Sequence, residues 1–253
     1  MVKKEIEAVI FDLGGTLIEY AGPYAVWPEL ETPGLQAAYA ALQNHGVALP
    51  PFAQFRDAAF VTLPGRWEDA TAGRQNLRLA AFLRELLGQQ GVNGLAQGWL
   101  ESASRAYEQA VCSQAVLIDG ALSTVRTLKE QGYKLALLSN TMFEGTAHVD
   151  DLHRFGLDSY FDAMLFSADE NKWKPSAVPY LHLLHRLQVP PDRAVFVGDS
   201  PEHDIVGGKA AGLRTIYFRS SGRFASPDGV QPDATIERLL ELPSLLSRWS
   251  REV

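Results

Sequence analysis

Five short apolar runs bounded by turn residues punctuate the chain: Glu7–Phe11 (EAVIF), Lys134–Leu138 (KLALL), Ala163–Phe166 (AMLF), Ala194–Val197 (AVFV) and Arg214–Phe218 (RTIYF). Runs of this length predict buried strands. Between the later ones the apolar spacing becomes helical, over Ala121–Gly132 (ALSTVRTLKEQG), Val178–Val189 (VPYLHLLHRLQV) and Asp204–Gly212 (DIVGGKAAG). The first and third close on glycine, and the second stops before Pro190-Pro191. Strands alternating with helices predict a three-layer α/β/α core with a mostly parallel sheet covered on both faces.

Residues 19–116 follow another pattern, with no convincing strand run. Amphipathic segments at Ala37–Gly46, Phe55–Leu63, Arg74–Gly88 and Gly98–Val111 are joined by Pro and Gly linkers, which predicts a helical insertion. The expected division is a core of residues 1–18 and 117–253 and a helical domain of 19–116. No internal repeat or low-complexity tract interrupts it.

Composition narrows the function classes. Of 253 residues 46% are apolar, enough for a dry core, and the formal net charge is -7 with the basic residues scattered, which argues against nucleic acid as a partner. Cys112 is the sole cysteine, so no internal disulfide can form, and a reducing, cytoplasmic location is expected. Glu5 and Glu7 break the apolar stretch that a signal peptide would need after Lys3 and Lys4. No run approaches the roughly 20 apolar residues that span a bilayer, so no membrane role is expected.

Ligands of open parallel sheets bind beyond the carboxyl ends of the strands. Four polar clusters fall at such ends: Asp12 to Thr16 after the first strand, Ser139-Asn140 after the second, Lys174-Pro175 beyond the third, and Gly198-Asp199 with Asp204 after the fourth. Each alone is ordinary turn or cap chemistry. Their order, each at a strand end, sets them apart.

With FDLGGTL, LLSNT, KWKP and VGDSPEHDIVGGKAAG in this sequence, the chain resembles the haloacid dehalogenase (HAD) superfamily of aspartate-nucleophile hydrolases over essentially its whole length. The resemblance implies a Rossmann-like core, an α-helical cap domain inserted after the first motif, and phosphoryl transfer with a Mg2+ cofactor. It places Asp12 as nucleophile, Ser139 and Lys174 around the transferring group, and Thr16 and Asn140 at the substrate. The metal would be held by Asp12, the Gly14 carbonyl and Asp199, with Asp204 orienting Lys174 or a metal-bound water. A phosphate dianion repels an attacking carboxylate, so cations and hydrogen-bond donors must surround it. Lys174, the metal ion, Ser139 and the turn amides near Leu13 and Gly14 would supply them.

The departure from the family is Gly14, where its phosphatases carry a second aspartate that protonates the leaving alcohol and activates water. Such acid/base catalysis is worth about 10²–10⁴-fold. Dehalogenases of the superfamily attack carbon without a metal and lack the acid at Asp199. Phosphonatases use a cap lysine, yet no lysine lies between Lys4 and Lys129. P-type ATPases carry a threonine there and use a good leaving group. The expected function is therefore a magnesium-dependent phosphohydrolase acting on a small phosphorylated metabolite, weak or restricted to good leaving groups such as acyl or aryl phosphates. The alternative is a catalytically silent module binding a phosphorylated ligand or a protein, and a haloacid dehalogenase is a weaker third.

Glu19 and Glu68 are the carboxylates that could stand in for the missing acid. Leu63–Asn76 (LPGRWEDATAGRQN), with Arg66, Trp67 and Arg74, is the expected specificity loop. Tyr20, Tyr24 and Trp27 are candidate flap residues. His182 and His185, three apart on a predicted helix, read as surface histidines, and KAAG (Lys209–Gly212) as helix packing and termination. No nucleotide-binding glycine motif and no zinc-ligand spacing is present.

Overall fold

The computed structural model describes residues 6–20, 27–219 and 229–250. Tyr24, a candidate flap residue, lies outside them. In chain order the strands are β1 Ala8–Phe11, β2 Ile18–Glu19, β3 Val116–Leu117, β4 Lys134–Ser139, β5 Ala163–Phe166, β6 Ala194–Gly198, β7 Arg214–Phe218 and β8 Ala234–Ile236. The helices are α1 Thr32–Asn44, α2 Phe52–Thr71, α3 Leu79–Gln89, α4 Gln97–Cys112, α5 Ala121–Glu130, α6 Gly145–Arg154, α7 Ser167–Glu170, α8 Ala177–Leu187, α9 Gly207–Ala210 and α10 Leu242–Trp249. The chain forms two compact units, one of Met1–Glu19, Val116–Asn140 and Leu152–Val253, the other of Tyr20–Ala115 and Thr141–Asp151.

In the first unit the described residues form a six-stranded sheet in the order β5-β4-β1-β6-β7-β8, every neighbouring pair parallel. All four residues of β1 are buried, as a central parallel strand requires, and each large apolar side chain there contributes about 1.5–3 kcal/mol. Ala8 and Ile10 share one face with Ala136 and Leu138, packed against Tyr180, Leu183, Leu184 and Leu187 of α8. Alternation along each strand turns Val9, Phe11, Leu135 and Leu137 to the opposite face. The chain runs outward from β1 to β4 and β5, then returns to β6 on the other side. That reversal is the switch point at which such sheets build their sites.

The five expected strands and their parallel pairing are present. A sixth, β8, has three residues, too few for an apolar run to register. It is held to β7 by the Asp233 amide donating to the Thr215 carbonyl and by the Asp233 carboxylate accepting from the Thr215 amide. Residues 19–116 are not free of strand: Ile18–Glu19 pairs antiparallel with Val116–Leu117, a two-residue ribbon where the chain leaves the first unit and returns to it.

In the second unit α1 packs chiefly on α4, and α3 packs on α2 and α4. The expected specificity loop at Leu63–Asn76 is mostly helix, since α2 continues through Pro64 and Gly65 to Thr71. Phe55, Ala59, Leu63 and Ala70 bury one stripe on both sides of the proline. This shared packing outweighs the hydrogen bond that Pro64 removes. The expected helix at Arg74–Gly88 starts later, at Leu79, because Arg74 turns back to hydrogen-bond Asp69.

Candidate active site

Asp12 follows β1 directly, and its amide donates to the Val197 carbonyl of β6, which seats it at the carboxyl end of the sheet. The chain then reverses: the Leu13 carbonyl accepts from the amides of Thr16, Leu17 and Ile18, and the Gly15 amide donates to the Ile18 carbonyl. Gly15 has φ +83°, and a Cβ there would lie 2.3 Å from Asp199 Oδ2. Glycine is thus required at this point by conformation and by space. Gly14 lacks the conformational constraint, since its φ is not positive, and it is half-buried.

Lys174 Nζ joins two carboxylates, 2.6 Å from Asp12 Oδ1 and 2.7 Å from Asp204 Oδ1. Asn140, just beyond β4, holds the lysine's backbone at both ends: its Nδ2 donates to the Lys174 carbonyl at 2.9 Å, and its Oδ1 accepts from the Lys174 amide at 2.8 Å. The Asn140 carboxamide thereby positions the Lys174 loop. Thr16 Oγ1 donates to Asp12 Oδ2 at 3.3 Å, and the Ser200 amide donates to Asp204 Oδ2 at 2.9 Å. Ser139 is buried at the carboxyl end of β4. The sequence signals the residues of this cluster but not these second contacts, which depend on loops meeting in space.

Asp12, Asp199 and Asp204 are all buried, and one carboxylate oxygen from each lies within 4.8 Å of the others. Burial pushes the Asp12 carboxyl up to about 6, against the pull of Lys174. Burial also disfavours the Lys174 ammonium, but Asp12 and Asp204 overcome it and raise the pKa, so the lysine stays charged. Three buried carboxylates beside one ammonium, all-oxygen donors, and a turn pressed against Asp199 fit a hard divalent cation. Asp12, Asp199 and Asp204 are the carboxylates that could hold it; Asp204 holds Lys174 on one oxygen and the Ser200 amide on the other, and Asp12 holds Lys174 and Thr16.

The remaining candidates make contacts of their own. Arg66 pairs with Asp69 at 3.3 Å and Glu85 at 3.1 Å within the helical unit. Trp67 packs on Trp27 with ring centroids 5.8 Å apart. Glu68 is largely exposed and 3.5 Å from Arg74, and Glu19 ends β2. The Tyr20 hydroxyl is 3.2 Å from His148 Nδ1. His182 Nδ1 is 3.0 Å from Glu170, which Lys172 and Arg186 also contact, and His185 is exposed. Lys209 is 2.6 Å from Asp233. Among the described residues, no helix is long and apolar enough to cross a membrane.

Comparison with known proteins gives this geometry its context. A family profile described as haloacid dehalogenase-like hydrolase matches residues 6–212. The chain is 30% identical over 249 residues to the ribulose-1,5-bisphosphate 5-phosphatase of Halopiger xanaduensis, covering 95% of this chain and 99% of that one. It is 39% identical over 97 residues to the pyrophosphatase PpaX of Halalkalibacterium halodurans, covering 38% of this chain and 44% of that one. Among solved structures, a 2-haloacid dehalogenase from Pseudomonas syringae pv. Tomato DC3000 superposes with a TM-score of 0.68 at 26% identity, over 96% of this chain and 99% of that one. The HAD-hydrolase YfnB from Bacillus subtilis shares the fold, with a TM-score of 0.63 at 22% identity over 96% and 99%. The sheet, its reversal at β1 and β6, and these matches agree: the chain belongs to the haloacid dehalogenase-like hydrolases and is a phosphatase-like enzyme of that family.

Proposed function

We propose that the protein is a magnesium-dependent phosphohydrolase that acts on a small phosphorylated metabolite through an aspartyl-phosphate on Asp12. The observation that carries this reading is the buried group of Asp12, Asp199 and Asp204 around Lys174. Asp12 is seated by β1 and β6, so its carboxylate is held for attack on phosphorus, forming the Asp12–O–P bond as the bond to the leaving group breaks. Lys174 neutralises charge on the phosphoryl oxygens, and Asp204 and Asn140 fix where its ammonium and backbone stand. Asp12, Asp199 and the Gly14 carbonyl would hold Mg2+, which would supply further positive charge to the phosphoryl group. Ser139 at the end of β4 is the proposed hydrogen-bond donor to the group. The Thr16 hydroxyl, directed at Asp12, is assigned to orienting the nucleophile rather than binding substrate.

Gly14 supplies no side chain to protonate a leaving group or to deprotonate water. We assign it the restriction of substrate choice: esters of weakly basic leaving groups, acyl or aryl phosphates, and phosphoanhydrides turn over, whereas alkyl phosphates react slowly. A pyrophosphatase among the relatives is in keeping with this preference. The helical unit is read as the cap of this family and as the seat of substrate selection. Dehalogenation is the weaker reading because Asp199 adds a buried carboxylate that attack on carbon does not need.

The test is phosphate release from an acyl phosphate, an aryl phosphate, pyrophosphate and an alkyl phosphate, with and without Mg2+, by the wild-type, Asp12→Asn and Gly14→Asp proteins. The proposal expects wild-type activity on all but the alkyl ester, a loss of about 10⁴-fold or more in Asp12→Asn, and a gain of about 10²–10⁴-fold on the alkyl ester in Gly14→Asp. A wild type inert on all four beside an active Gly14→Asp would point to a binding protein with a preserved site.

A further inference from the structure

The second unit contains a polar cluster that phosphoryl transfer does not use. Cys112 ends α4, and His148 and Asp151 lie three residues apart on α6, where helical spacing places them on one face. All three are buried, at 8%, 5% and 4% exposure. One potential ligand atom from each lies within 4.8 Å of the other two. A thiol this enclosed is not an accessible nucleophile, so a cysteine–histidine–aspartate relay acting on substrate does not fit.

The donor set of this cluster is unlike that of the Asp12 site. Sulfur, imidazole nitrogen and one carboxylate oxygen suit a soft or borderline cation, whereas the three carboxylates suit a hard one. Around zinc, with bonds of about 2.0–2.3 Å, ligand atoms stand roughly 3.3–3.8 Å apart. Atoms within 4.8 Å of one another therefore need to close by no more than about 1–1.5 Å. The imidazole is already oriented by hydroxyls on both sides, Thr141 Oγ1 at 2.8 Å from Nε2 and Tyr20 at 3.2 Å from Nδ1. Thr141 Oγ1 is itself fixed by accepting the Phe143 amide at 3.0 Å. A cation would take one ring nitrogen and leave the hydroxyl on the other to hold the ring, as outer contacts of ligating histidines do.

We propose that Cys112, His148 and Asp151 form a three-ligand site for a thiophilic divalent cation of the zinc class, which fastens the end of α4 to the 141–151 segment. A fourth position is left for water. Such an ion binds the folded chain and stabilises the unit by mass action. The separation of these residues in sequence, 36 positions between Cys112 and His148, gives no zinc-ligand spacing to recognise.

Cys112 is the only cysteine, so any thiolate-to-metal absorption must arise from it. The experiment titrates Co2+ into the full-length, untagged protein under excess Mg2+ and follows the near-ultraviolet sulfur-to-cobalt charge-transfer band. Expected is a saturable band at one equivalent that Zn2+ abolishes and Cys112→Ser lacks. Cobalt affinity should fall at least about 100-fold in His148→Gln and Asp151→Asn, and about 10-fold in one of Thr141→Val and Tyr20→Phe, whichever removes the hydroxyl kept on the other ring nitrogen. Thermal melts in a chelator establish that each variant is folded. No band in the wild type at saturating Co2+ overturns the proposal, and this outcome does not depend on any variant folding. A band whose affinity is unchanged in His148→Gln and Asp151→Asn overturns it equally, since it would report the thiol alone.

Discussion

At Gly15 a methyl group would lie 2.3 Å from Asp199 Oδ2, in a backbone conformation with φ +83°, whereas its neighbour Gly14 is not in the positive-φ region. Two glycines side by side in FDLGGTL therefore differ in backbone conformation. Gly15→Ala is expected to destabilise the fold by about 1–3 kcal/mol and to weaken Mg2+ binding, read by urea unfolding with and without the ion. The backbone at Gly14 adds no strain of this kind, so Gly14→Asp should cost less unfolding free energy than Gly15→Ala. Both glycines were legible in the sequence as a turn, but not the close approach at Gly15, because it comes from Asp199, 184 residues after Gly15. The same limit applies to Asn140: its position was legible, its clamp on Lys174 was not.

At the scale of elements, the parallel sheet was legible because buried strands leave uninterrupted apolar runs, and β8 was not because three residues carry too little pattern. Its attachment is electrostatic as well as hydrogen-bonded. Partial burial opposes ionisation of Asp233, but Lys209 and the Thr215 amide prevail and hold its carboxyl below the ordinary value. A carboxyl depressed in the folded state contributes stability above its unfolded pKa, near 3.9, and loses it as pH falls through the folded value. Asp233→Asn should cost under about 1 kcal/mol at pH 7, since the pair is partly exposed. That difference should vanish well below pH 4, as measured by urea unfolding across pH. In α2 the proline and glycine at 64 and 65 read as a break, and the buried stripe through Leu63 and Ala70 overrides them. Leu63→Ala should therefore cost about 2–4 kcal/mol, more than a loop leucine would.

In the whole molecule, the proposed mechanism draws together a parallel sheet, a carboxylate site at its switch point and a turn without an acid. In the proposed mechanism the absence of an acid at Gly14 matters twice, because one group would both protonate a leaving alcohol and later deprotonate the hydrolytic water. With a good leaving group the first step proceeds without it and the second remains slow, so the phosphorylated enzyme should accumulate. The most direct measurement is the mass of the peptide bearing Asp12 after acid quench during steady-state turnover of an acyl phosphate with Mg2+. The account predicts a single added phosphoryl group on Asp12 in the wild type, none in Asp12→Asn, and a smaller steady-state fraction in Gly14→Asp. Turnover without a phosphoryl group on Asp12, or with one on another residue, would contradict it.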